Sequence, residues 1–155
     1  MSQPVVLDTN LLVLLVVGLQ DRAAIARHKR LAAYTSEDFD ILSSMIRSAS
    51  AVLLTPNTLT EASNLLGKAD RQALAFRALL GQLVKLQGER YIQSTQAVEH
   101  VAFHRLGLTD AALLTLLDEI PDDAVLLTAD LGLYLTANGA GRQALNWNHL
   151  PHRDI

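Results

Sequence analysis

Apolar positions cluster in three short runs, residues 5–7 (VVL), 51–55 (AVLLT) and 124–128 (AVLLT). Each is rich in Val and Leu and bounded by polar or turn-forming residues, as strands of a sheet covered on both faces read. A weaker fourth candidate, residues 144–148, carries the single tryptophan, Trp147. Between these runs the pattern is helical. Residues 11–19 (LLVLLVVGL) predict a buried helix, and residues 22–31 a basic amphipathic one. Residues 36–48 open with Ser-Glu-Asp, an N-cap followed by first-turn acids. Helical spacing returns over 58–66 and 70–87, punctuated by Gly67 and Gly88, then over 95–105, 110–120 and 131–138 before Gly139. Alternating strands and helices predict an α/β fold, a central parallel sheet of four to five strands flanked by helices. Ligands of such sheets bind beyond the carboxyl ends of the strands, near a switch in strand order.

Length and composition narrow the classes. A chain of 155 residues, half of them hydrophobic and 19% charged, suits one globular domain spanning residues 1–155. The absence of cysteine excludes disulfides, thiolate metal sites and cysteine nucleophiles. Thirteen Lys and Arg against sixteen Asp and Glu exclude a wholly basic nucleic-acid surface and leave room for a local patch. The apolar run at 11–19 is preceded by MSQPVVLDTN, which has an Asp and no Lys or Arg. A secretory signal has positive charge there, so the expectation is a core helix in a soluble, cytoplasmic protein without a membrane span.

Most acids sit in polar stretches and read as solvated charge, Glu37, Asp38, Asp40, Asp118, Glu119, Asp122 and Asp123 among them. Four do not. Asp8 ends the first strand, Glu61 follows the second, Asp110 lies in RLGLTDAALL, and Asp130 ends the third strand. Singly, each has a structural use. Asp8 and Asp130 read as N-caps, Thr58 with Glu61 as a capping box, and Asp110 as a first-turn acid behind a Thr109 cap. Jointly, they predict something else. If the sheet gathers them, each ionised pair about 6 Å apart repels by roughly 3 kcal/mol at an effective dielectric of about 20. A divalent cation relieves that repulsion, and an all-oxygen donor set favours magnesium or manganese over zinc. Such a site activates water against a phosphodiester.

In this order and rough spacing, Asp8-Thr9-Asn10, Glu61, Leu108-Thr109-Asp110-Ala111 and Leu127-Thr128-Ala129-Asp130 resemble the PIN-domain ribonucleases over nearly the whole chain. The resemblance implies a Mg2+- or Mn2+-dependent endoribonuclease acting on single-stranded RNA. It implies Asp8, Glu61, Asp110 and Asp130 as metal-binding, catalytic positions, with Asn10 and Thr128 in support. Many bacterial members are toxins, often homodimeric and silenced by a small antitoxin protein, so both partners are expectations here. The chain departs from the pattern in two places. Its helical material between Gln20 and Ser48 is longer than in the smallest toxins, and Gly132 and Leu133 stand where an extra acid sometimes follows the last motif.

For substrate grip, Arg22, Arg27, His28, Lys29 and Arg30 fall within nine positions and predict either a phosphate-binding face or a solvated one. Arg27, Lys29, Arg30 and Arg105 are the phosphate-contact candidates. Seven aromatic residues offer no evident platform for stacking bases. His100 and His104, spaced i and i+4, lack the other parts of a zinc site. His149 and His152 fall in a tail expected to be loose. No P-loop is present, and position 10 is Asn where an aspartyl-phosphate phosphatase has a second Asp. The rival from another class is a PIN-like interaction module with little or no catalysis. The apolar helix at 11–19 and the Leu-rich segment at 73–86 are the expected homodimer or antitoxin surfaces.

Overall fold

A computed structural model describes residues 2–68 and 70–153. Strand β1 (Pro4–Leu7) runs into helix α1 (Thr9–Gln20), and α2 (Ser36–Ser48) leads to β2 (Ala51–Leu54) and α3 (Pro56–Leu65). Then come α4 (Arg71–Leu86), a two-residue β3 (Gly88–Glu89), and the short helices α5 (Ser94–Ala97) and α6 (Phe103–Leu106). Helix α7 (Leu108–Glu119), β4 (Val125–Thr128), α8 (Leu131–Gly139) and β5 (Gln143–Asn146) complete the order. The strands form one parallel sheet in the order β3-β2-β1-β4-β5. The architecture is therefore α/β, with a central parallel sheet of five strands flanked by helices.

Strand alternation explains why both faces are covered. Val5 and Leu7, Val52 and Leu54, and Val125 and Leu127 point into one apolar cluster with α1, α2 and α4. Val6, Leu53 and Leu126, one position out of phase, point into the other with α5 and α7. The two strands flanking β1 come from the same pentapeptide, AVLLT, in the same register. Val5 stands opposite both Val52 and Val125, and Val6 opposite both Leu53 and Leu126.

Several expectations are corrected. Residues 22–31 form two short 3-10 segments, Arg22–Ala26 and Lys29–Leu31, rather than an amphipathic α-helix. The Asp21 carboxylate accepts from the Ala23 amide and His28 Nδ1 from the Arg30 amide, side-chain bonds that compete with helix continuation. Residues 95–105 break likewise where His100 Nδ1 accepts from the Ala102 amide, so His100 and His104 share no helix. The apolar run of α1 leaves no face for a second copy, because Leu11 to Gly18 are all buried within the chain. Leu74 and Leu86 of α4 do remain exposed. No described helix is long and apolar enough to cross a membrane.

Gly18 lets α2 approach α1. A Cβ there would overlap the ring of buried Phe39. Gly18→Ala is therefore expected to cost about 1–3 kcal/mol despite alanine's better helix propensity. Urea denaturation measures this, and a neutral or stabilising result would refute the close approach.

The C-terminal tail is pinned, and Asp38 is not solvated. Asp38 lies 1% exposed at the start of α2, where it forms a capping box with Thr35. Its Oδ1 receives Trp147 Nε1 at 3.0 Å and pairs with His152 Nε2 at 2.6 Å. Arg153 Nη1 donates to Oδ2 at 2.7 Å.

Candidate functional site

The strand order reverses direction between β1 and β4, and the residues following these two strands lie at that switch. Asp8 ends β1 and caps α1, accepting the Thr9 amide at Oδ1, 2.7 Å away. Its Oδ2 accepts the Thr128 hydroxyl at 2.6 Å, and the same hydroxyl accepts the Asp130 amide at 3.0 Å. Thr128 thus ties the two strand ends together through one oxygen. Asp130 caps α8, its Oδ1 accepting the Leu133 amide at 2.9 Å.

Glu61 and Asp110 come from helices, and neither serves as a cap. The cap of α3 is Thr55, which accepts from the Thr58 amide, so the expected Thr58–Glu61 capping box does not form. The N-cap of α7 is Gly107, whose φ of 89° favours glycine, and not Thr109. Thr109 instead donates its hydroxyl to Glu61 Oε2, joining α7 to α3.

Asp8, Asn10, Glu61, Asp110 and Asp130 line one cavity of about 400 Å³, with Thr9, Thr109 and a wall from Leu106 to Leu108. No Lys, Arg or His lines it, and none of the described ion pairs involves these four acids. Their electrostatics register the crowding. Burial pushes the Asp110 carboxyl up to about 7, with Asp8, Asp130 and Glu61 adding to the shift. Asp8 is also raised, first by burial, with Asp130 and Glu61 acting in the same direction against the bonds from Thr128 and Thr9.

A hard divalent cation fits this donor set. Every side-chain donor is oxygen, and the negative charge has no resident counter-charge. Among the described residues no three acids or histidines already stand as a closed ligand group. Magnesium needs none, since it keeps several waters and takes only one or two carboxylates directly.

The basic candidates fare differently. Arg27, Lys29 and Arg30 do not line the cavity; Arg27 pairs with Asp21 at 3.2 Å, and Arg22 with Asp40 at 2.7 Å. Arg105 precedes the Leu106 wall and donates to Thr136 Oγ1 at 3.1 Å. It lies beside the start of α8, where Gly132 leaves room between its guanidinium and Asp130.

The sequence pattern reads Thr109 as a cap and gives no role to Thr9, whose buried hydroxyl has no partner among the described residues. The adjacency of threonine to Asp8 and Asp110 is the one signal that points to both. No protein-family model matches the chain, and no curated protein matches it.

Proposed function

We propose that the chain is a magnesium- or manganese-dependent endoribonuclease that hydrolyses phosphodiester bonds of single-stranded RNA. The observation that carries this reading is the convergence of Asp8, Glu61, Asp110 and Asp130 on one cavity without a basic side chain. The resemblance of the four motifs to the PIN-domain ribonucleases supports the RNA substrate.

Asp8, Glu61, Asp110 and Asp130 would hold the cation. When bound, such an ion supplies Lewis acidity to a phosphodiester oxygen and acidifies a water. The protein's part is preorganisation. Thr128 fixes Asp8, and Thr109 holds Glu61 by one oxygen, leaving Oε1 without a protein partner among the described residues. Leu65, Leu106 and Leu108 give the cavity apolar walls that strengthen its electrostatics. Asn10, exposed at the first turn of α1, supplies an amide for water or substrate.

The test is cleavage of labelled single-stranded RNA with manganese, beside an EDTA control and an Asp8→Asn variant. Asparagine keeps both hydrogen bonds of Asp8 and loses its charge. Cleavage abolished by EDTA and by Asp8→Asn is the expected result. Cleavage indifferent to either refutes the assignment. The absence of a preassembled ligand group favours the second reading, an interaction module. Calorimetry separates the two, because a module of that kind shows no manganese binding that Asp8→Asn removes.

A further inference from the structure

Beside the acidic cavity lies a second one of about 310 Å³, and the two share Glu61 and Thr109 as a common wall. Its other walls are Pro56, Asn57 and Thr60 from the start of α3, and Tyr91, Ile92 and Ser94 from the segment after β3. Glu61 is its only charged lining residue. Tyr91 is 73% exposed, whereas the next residue, Ile92, is buried and anchors the segment that carries the ring. The fold makes no use of that ring, and an exposed aromatic beside a catalytic cavity is placed to meet a ligand.

We propose that this cavity is a nucleobase subsite, in which Tyr91 stacks on a base of single-stranded RNA next to the phosphodiester held at the acids. The inference rests on the nuclease reading above and adds to it the part of the substrate that sets strand preference. Three observations support a base as the occupant. The volume suits a small planar group. The side chains of Asn57, Thr60 and Ser94 offer both donors and acceptors to a base edge. A cavity without basic residues is unsuited to a phosphate, so the backbone charge belongs over the shared Glu61–Thr109 wall, toward the cation. Stacking on one ring requires an unpaired base, which a duplex does not present. The low aromatic content of the chain conceals this, since a single well-placed ring is sufficient.

Steady-state cleavage in manganese tests it. Tyr91→Ala should raise KM for single-stranded RNA about tenfold with little change in kcat, while Tyr91→Phe keeps the wild-type KM. Because Tyr91 is exposed, neither variant threatens folding. An abasic nucleotide walked along the substrate should, at one position beside the cut, weaken the wild type about tenfold and leave Tyr91→Ala unaffected. A protein that cleaves with manganese but ignores Tyr91→Ala, or in which the two losses simply multiply, overturns the subsite alone. A wild-type protein that cleaves no RNA overturns the reading of the acids, and the subsite with it.

Discussion

Replacing Asp110 with asparagine is expected to reduce metal-dependent cleavage at least about 100-fold and, in the same molecule, to stabilise the metal-free protein at pH 8. The two effects have one cause. Burial and three neighbouring carboxylates push the Asp110 carboxyl from 3.8 up to about 7. The folded state therefore holds that proton more tightly than the unfolded chain. The associated stability is fully present below about pH 4 and is lost as pH rises through 7. At pH 8 the metal-free protein carries an ionised group its surroundings oppose. Asparagine removes the charge and keeps the shape. Against this stands the helix dipole, which favours an acid in the first turn of α7 by about 0.3–1 kcal/mol. Burial and repulsion together outweigh that preference, so the melting temperature in EDTA should rise by roughly 5 °C. Differential scanning calorimetry at pH 5 and pH 8 decides it. A variant that melts below wild type at pH 8 would make Asp110 an ordinary helix-start acid.

The second large effect belongs to Asp38, far from the acids in sequence and role. Asp38→Ala should cost about 3–5 kcal/mol, because it leaves Arg153 unpaired and the Trp147 indole without its acceptor. The melting temperature should fall by roughly 10 °C. Wild-type protein should show a matching acid limb. Burial alone would raise Asp38, yet bonds from His152, Arg153, the Thr35 amide and Trp147 outweigh it and hold the carboxyl at about 2. A lowered carboxylate stabilises above its unfolded value near 3.8 and loses that contribution as pH falls through 2. About 2 kcal/mol should therefore disappear between roughly pH 4 and pH 2 in wild type, and not in Asp38→Ala. Chemical denaturation across that range tests it; identical profiles for the two proteins would contradict the network.

The central strands were legible because their Val and Leu runs are covered on both faces, which leaves a continuous apolar signature. The gathering of Asp8, Glu61, Asp110 and Asp130 was legible for a related reason. Each follows a strand or opens a helix, and a parallel sheet brings those ends to one edge. Strand β3 was not legible, since two residues show no alternation and Gly88 reads as a helix stop. The break at His100 and the 3-10 turns at 22–31 depend on single side-chain bonds that periodicity cannot register. Asp38 looked solvated among Glu37 and Asp40 because its partners, Trp147, His152 and Arg153, lie more than a hundred positions away. The basic cluster misled for the opposite reason. Its Arg22 and Arg27 find acids close by, Asp40 and Asp21, and the cluster stays off the cavity wall.

The twin AVLLT strands carry a cost that the finished core conceals. Either copy could lie on either side of β1 and bury the same side chains in the same register, so the core scarcely distinguishes the native arrangement from its exchange. That exchange is a topological decoy, and discriminating against it falls to residues beyond the pentapeptides. After one copy, Thr55 caps α3 ahead of Pro56; after the other, Thr128 clasps Asp8 and leads to Asp130. The residues at the mouth of the cavity thus help decide which of two nearly degenerate strand orders the chain adopts, and a fold-specificity role comes with their chemistry.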